Sequence, residues 1–429
     1  MISIFRITAL PLLAAIFTLS TRSAHGQDLK PFTPDEMLEV KSINITDITD
    51  DGRYAAVSSS TIRDRLGIDH FRFADPTFVQ QRTSSLQVID SESGEQHNLF
   101  DEPVVIRNSA WSPDNRTLAI ILMDEQRVTL QMYDAERDRL RELRPKTDLE
   151  IASNTDLDWL PHGSGLILSF RADGWRATAD SMYTAINDGP IVIQNSTHDF
   201  LAWDRVWMQN NRSILATLDI DSRQVTELTD DGMFTPYIPE DGSFVAVKQE
   251  FPLRTDYTRS DDASDFLMFT VSLDDPADRD TLIARTNTEP EPNWDPAGTT
   301  WAWADEGSVF IRHISDSAGT DITADHKEFV EEGDTTSLEF SVSRWSQNGA
   351  SLLLRSEKGY HRIDTTGTDM ALVFKFPDDE TSEPRLELQH WSDDDRYLYF
   401  SSSARDEWQR GMVRYDFEEQ QMEPLLIDD

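Results

Sequence analysis

One six-residue phrase recurs seven times in this chain, and no other feature constrains the fold as much. It stands at 48–53 (ITDDGR), 111–116 (WSPDNR), 159–164 (WLPHGS), 238–243 (IPEDGS), 294–299 (WDPAGT), 345–350 (WSQNGA) and 391–396 (WSDDDR). Each copy opens on a large apolar anchor, and five of the seven anchors are Trp in a chain holding only 11 Trp. Four residues on stands Gly52, Asn115, Gly163, Gly242, Gly298, Gly349 or Asp395. These residue types tolerate the positive φ of a tight turn. Pro at the second turn position, as at Pro113, presets the bend. Seven to nine residues after every anchor the chain is apolar, as in Leu118-Ala119-Ile120 and Leu352-Leu353-Leu354. A short strand that is apolar at consecutive positions is covered on both faces. Sheets stacked face to face around an axis would cover it so.

A second element alternates with the first: a strand ending in Asp, a polar turn, then another strand. Examples end at Asp90, Asp134, Asp219, Asp364 and Asp416. Its period-two alternation reads as a half-exposed outer hairpin. Inner plus outer hairpin makes one four-stranded blade. The expected fold is therefore all-β, a β-propeller of seven or eight four-stranded blades. Anchor spacings run 63, 48, 79, 56, 51 and 46 residues, against roughly 40–50 for an uninterrupted blade. The 63-residue step holds an inserted loop at 63–81. Within the 79-residue step, Trp207 to Asn211 followed by Ile214-Leu215-Ala216 fits the same template only 31 residues before Ile238. It reads as a decayed eighth blade or as the outer strands of an enlarged one. No segment shows a long helical period. Only 34–40, with Thr33 as N-cap, reads as a short helix.

The N-terminus carries Arg6, an apolar run from Ile7 to Leu19, and small residues at Ala24 and Gly26. That is the pattern of a secretory signal peptide over residues 1–26, cleaved after Gly26. The run is too short for a bilayer, which needs about 20 apolar residues. The expected mature chain, 27–429, is periplasmic or secreted, with no membrane span after signal cleavage. The chain has no Cys, which excludes disulfides, thiol nucleophiles and Cys-ligated metals. Its 79 acidic residues outweigh 39 basic ones, for a formal net charge of −40. Nucleic acid and anionic membranes are poor partners for such a polyanion. Seven Lys against 32 Arg is a composition that suits high salt, where ions screen self-repulsion. An acidic protein of an ordinary organism fits equally.

The anchor–turn–apolar unit resembles the propeller repeats of TolB-like, WD40-like proteins and the N-terminal β-propeller domain of the prolyl oligopeptidase (dipeptidyl peptidase IV-like) serine peptidases. The leading segment Phe32 to Lys41, running straight into the first repeat, and the irregular, insertion-rich spacing resemble the peptidases more. The resemblance covers about Phe32 to Leu426. In those peptidases an α/β-hydrolase domain follows the propeller and carries Ser, Asp and His. Here the last outer hairpin is followed at once by Asp428-Asp429, and no Gly-x-Ser-x-Gly elbow occurs. The nearest string, Gly163-Ser164-Gly165, belongs to the third turn. The family's catalytic residues match no position, so none is assigned.

Other motifs have plainer explanations. His25, His70, His97, His162, His198, His313, His326, His361 and His390 show no metal-ligand spacing. Asp156, Asp158, Asp219 and Asp221 alternate as calcium ligands do, without a full ligand set. Glu331-Glu332 is the type of pair with which dipeptidyl peptidase IV relatives hold a substrate's amine, but Glu418-Glu419 matches as well. The Trp anchors read as core; Trp175, Trp203 and Trp408 lie outside the series and read as surface or pore. No catalytic residue, cofactor or metal site is expected. The resemblance implies a non-catalytic propeller that gates or selects peptide substrates for a hydrolase domain absent from this chain. The alternative is a standalone TolB-like exported propeller acting as a protein-interaction module.

Overall fold

The structure, a computed structural model, describes residues 33–65, 82–124, 127–189, 197–239, 242–255, 263–316, 318–331, 334–376, 385–404 and 409–428. The signal segment, His25 and His70, most of the 63–81 loop, Glu332 and Trp408 lie outside them. Seven antiparallel sheets follow one another along the chain, spanning 41–98, 105–143, 150–227, 233–286, 293–321, 341–375 and 385–428. They are blades 1 to 7 of a β-propeller, each a meander of strands A to D from the inside outward. Blade 3 differs only in that its strand A is broken into Glu150–Ile151 and Asp158–Trp159.

Local chemistry explains why the repeat folds as it does. All seven turn positions expected to need positive φ have it, from 57° at Asp395 to 70° at Gly52. The Ser or Thr after the anchor latches the turn. Ser392 Oγ donates to Asp394 at 2.6 Å and accepts from Tyr397 N at 2.7 Å. Thr49 and Ser346 repeat the arrangement in blades 1 and 6. In five blades an Asp ends strand C and caps its own turn, as Asp416 does by accepting from Glu418 N at 2.8 Å. In three blades an Arg right after the inner turn reaches that Asp and ties the two hairpins together. The pairs are Arg53–Asp90 (3.4 Å), Arg116–Asp134 (3.2 Å) and Arg396–Asp416 (2.9 Å). The Arg396 guanidinium holds the Asp416 carboxyl below its ordinary range.

The core lies between blades rather than within any one. Tyr54, Ala56, Leu86 and Val88 of blade 1 meet Trp111, Leu118, Ile120 and Tyr133 of blade 2. Ala119, Ile121, Leu130 and Met132, on blade 2's other face, meet Leu166, Leu168 and Phe170 of blade 3. Comparable clusters join blades 3 to 4, 4 to 5, 5 to 6 and 6 to 7. The turns interlock too. A Cβ on Gly242 would meet Pro161 Cδ of the preceding turn at 2.9 Å. Asn115 accepts from Asp50 N at 2.9 Å, and Asp395 from Gln347 N at 2.7 Å. The last junction, blade 7 to blade 1, carries no hydrophobic cluster among the described residues. Ile43, Ile45 and Ile48, on the blade 1 face turned away from blade 2, are 67, 61 and 46% exposed. Gly52 has open space where a preceding turn would sit.

Two sequence expectations are settled by the structure. Of the two readings of 207–216, the enlarged blade holds: Ile214–Asp219 is outer strand C of blade 3, the described residues form no eighth blade, and only Trp207 to Asn211 departs, as part of a helix. Nor is the chain without longer helices. Besides the expected short α1 (Pro34–Leu38), capped by Thr33 in a box with Glu36, there are α2 (Trp175–Asn187) and α3 (Ala202–Asn211). Trp175, Ala179 and Tyr183, four apart, form the buried stripe of α2, and this spacing is the signal that reveals it.

Candidate interaction face

In a four-stranded meander successive connections alternate between the two ends of the sheet. The A-to-B and C-to-D connections share one face of the propeller, and all of them are four to six residues long. The B-to-C and D-to-A connections share the opposite face. They include 62–84 in blade 1, 172–213 in blade 3, 253–263 in blade 4, and 322–340, which holds the Glu328–Glu331 and Asp334–Ser337 hairpin. Every long connection therefore leaves its sheet at one face. Scaffolded loops of this kind carry binding function far more often than tight turns do.

The blade 3 insertion is a helical hairpin of α2 and α3, firmly anchored. Arg171, at the end of strand B, is buried and donates to Asn210 O at 2.5 Å, Arg212 O at 2.9 Å and Asn154 Oδ1 at 2.9 Å. Those bonds satisfy C-terminal carbonyls of α3, which a helix end leaves open. The guanidinium also lies 4.0 Å over the Trp175 ring, and Trp175 Nε1 donates to Gln209 O at 2.6 Å. From blade 4, Thr255 holds the start of α3: its N–H donates to Asp199 O at 2.6 Å, and its hydroxyl accepts from Leu201 N at 2.9 Å while donating to Asp204. Two insertions are thus bonded to each other. The outer side of α3 presents Trp203 and Trp207, one turn apart and 49 and 51% exposed. Trp203 packs edge-on against Tyr183.

Beneath α3, against the end of blade 4, lies a cavity of about 580 Å³. Met182, Phe200, Met208, Met233, Phe251 and Pro252 supply its apolar wall. Polar groups from α3 and blade 4 stand at its rim, Arg205 among them. A second concavity, of about 560 Å³, opens between the inner ends of blades 3 and 4, among Trp159, Ile238 and several turn prolines. Asp158 lines it without a hydrogen bond or ion pair among the described residues. Burial, with Asp156 adding like charge, pushes the Asp158 carboxyl up to about 6.

The residues singled out in the sequence are dispersed. His97 faces Asp138, His313 bonds Ser315, and His326 reaches Gly367 O. His361 is buried against Phe340 and bonds Ser356 Oγ at 2.9 Å, and burial lowers its basicity. His390 packs beside Tyr399. His162 sits in the blade 3 turn, and His198 just before α3. Asp219 caps a turn through Ser222 N at 2.6 Å. Glu331 ends a strand of the 322–340 hairpin, while Glu418 and Glu419 form a turn tied to Asp416. Among the described residues no three His, Asp or Glu converge as metal ligands would. Trp111, Trp345 and Trp391 are buried, as expected of anchors, while Trp159 and Trp294 are half-buried. Trp175 is core rather than surface. Sequence reasoning missed the Arg171 anchor and the cavity under α3, because both depend on the helical hairpin.

No family model matches the chain, and no curated protein matches it. Solved structures do. A prolyl endopeptidase aligns over 92% of this chain and 51% of its own, at 13% identity and a TM-score of 0.53. Dipeptidyl peptidase 4 of Porphyromonas gingivalis aligns over 89% of this chain and 52% of its own, at 10% identity and a TM-score of 0.55. The chain has the fold of a peptidase β-propeller. TolB from Acinetobacter baumannii aligns over 77% of both chains at 13% identity, with a TM-score of 0.34. The chain spans about half the length of the two peptidases. At such identities the likeness is one of fold.

Proposed function

We propose that this chain is a non-catalytic propeller that docks to a serine hydrolase and helps select its peptide substrates. The observation that carries the reading is that every long connection leaves from one face, with Trp203 and Trp207 exposed at the helical hairpin there. Large exposed aromatic residues are typical anchors of protein interfaces. The peptidase-like fold supports a hydrolase as the partner. The chain itself supplies no elbow nucleophile. The test is capture of fluorophosphonate-labelled serine hydrolases from the native extract on the immobilised mature chain. A labelled hydrolase should be retained by the wild type and lost with the double variant Trp203→Ser/Trp207→Ser. Retention of no labelled hydrolase, or only of unlabelled partners, overturns the reading, as does labelling of this chain itself.

We also propose that residues 1–26 direct export and are removed, leaving Gln27 first. Among the described residues no helix is long and apolar enough to cross a membrane. N-terminal sequencing of the exported protein should begin at Gln27, and an intact Met1 in that fraction would refute the cleavage.

A further inference from the structure

The cavity under α3 has a charge arrangement that its apolar wall does not need. Three guanidinium groups border it, Arg205, Arg212 and Arg285. Two are already matched. Arg212 pairs with Asp231 at 2.6 Å, and Arg285 with Asp265 at 2.7 Å while lying 4.4 Å over the Phe251 ring. Arg205 is exposed and has no ion pair or side-chain hydrogen bond among the described residues. The carboxylate at the rim, Glu250, accepts from Ser264 Oγ at 2.7 Å. Of the three cavity-lining arginines, Arg205 alone is left without an acid among the described residues.

The shape of the site is equally particular. Three methionines, Met182 on α2, Met208 on α3 and Met233 on blade 4, converge with Phe200 and Phe251. Methionine side chains are flexible and polarizable and adapt to apolar groups of varied outline. A volume of about 580 Å³ lies within the range of small-ligand sites, roughly 300–1,000 Å³. Arg205 and Met208 lie three apart on α3 and so share one face, which puts the cation beside the apolar wall.

We propose that this cavity binds a bulky apolar group carrying a carboxylate, the carboxylate meeting Arg205 and the apolar body entering among the methionines. Two sources share that chemistry: the C-terminal residue of a peptide, and a free aliphatic acid. The assignment does not depend on a hydrolase partner. It stands on the cavity alone.

Isothermal titration of the full mature chain at physiological salt tests it with three probes: N-acetyl-Leu-Phe as the free acid, the same compound as the C-terminal amide, and octanoate. At least one acid should bind, and the peptide amide should bind at least tenfold more weakly than the peptide acid if the peptide is the ligand. Tighter binding of octanoate than of the peptide acid assigns the site to aliphatic acids, and the reverse order assigns it to peptide C-termini. Arg205→Gln, a change at an exposed helix position, should weaken the bound acid at least tenfold and leave the thermal midpoint of the free protein unmoved. Failure of both acids to bind at millimolar concentration overturns the proposal. So does acid binding that Arg205→Gln leaves unchanged.

Discussion

Between blades 6 and 7, Leu353 and Tyr360 pack on Trp391, Leu398 and Phe400, all buried. Between blades 7 and 1 the same repeat positions hold different residues. The blade 1 anchor is Ile48, followed by Ala55 and Val57, where blade 2 has Trp111, Leu118 and Ile120. The blade 7 face turned toward it carries Tyr399, Ser401, Met412 and Arg414, where blade 2 has Ala119, Ile121, Leu130 and Met132. One junction is thus sealed by a large anchor on an apolar sheet, while at the other smaller side chains, Ile48 nearly half exposed among them, face a more polar sheet. Hydrophobic stabilisation scales with apolar area removed from water, so most of the propeller's cohesion lies in six junctions out of seven.

The largest expected effect compares two anchors. Trp391 is fully buried, whereas Ile48 is nearly half exposed. Trp391→Ala should cost about 3–5 kcal/mol, as deletion of a buried aromatic side chain does. Ile48→Ala should cost less than about 1 kcal/mol, since exposed substitutions seldom cost more. Urea unfolding of both variants measures the difference. Equal losses would mean that the last junction is as tightly packed as the others.

Two glycines sharpen the same contrast. Gly242 and Gly52 occupy the same turn position with φ of 62° and 70°. Alanine at either is strained by roughly 1–2 kcal/mol in the left-handed region. At Gly242 the added methyl also meets Pro161 at 2.9 Å, whereas at Gly52 it meets nothing. Overpacking adds roughly 1–3 kcal/mol, so Gly242→Ala should be the more destabilising. Similar midpoint losses for both would show that the turns do not interlock.

Much of this was legible in the chain, and the reason is physical. Anchor, turn and apolar triplet each answer to local rules, so positions such as Asn115 and Asp395 announce their positive φ by residue type alone. Even the weak junction is written in Ile48 and Ala55, although it becomes visible only once the blade order shows which faces meet. The helical hairpin was not legible by the same route. Its sequence from Trp207 to Ala216 imitates the repeat, and tertiary packing of Trp175, Tyr183 and Val206 decides for helix over strand. The cavity is built where the blade 3 insertion meets blade 4, so no local pattern could mark it.

Titration sets two groups of the well-packed region against each other. Asp158 has its carboxyl raised to about 6, by burial first and by Asp156 second. The folded state then holds a proton that the unfolded chain has lost between about pH 4 and 6, so this group's contribution favours folding as pH falls through 6. His361, whose basicity burial lowers, acts in the opposite sense. The unfolded chain takes up its proton first, so stability is lost as pH falls below about 6.5. Asp158→Asn should stabilise the protein at pH 7 by about 1–2 kcal/mol, given a shift of about two units discounted for partial exposure. It should also steepen the loss of stability below pH 6. A variant with unchanged stability at pH 7 and an unchanged acid limb would show that Asp158 is solvated.

The smallest expected effect tests the unsealed junction most directly. Ile45 lies on strand A of blade 1, is 61% exposed, and faces away from blade 2. Threonine keeps the β-branched shape that a strand favours and removes apolar surface only where water already reaches it. Ile45→Thr should therefore shift the unfolding free energy by no more than about 0.5 kcal/mol. Amide exchange in 41–48 should then be faster than in the buried strand at 117–123, because a strand whose residues are mostly exposed opens more readily than one buried on both faces. A loss beyond about 1.5 kcal/mol, the scale of burying an aliphatic side chain, would place Ile45 under cover in solution. In that case blade 7 or another part of the chain closes over this face, and the contrast between the two junctions fails.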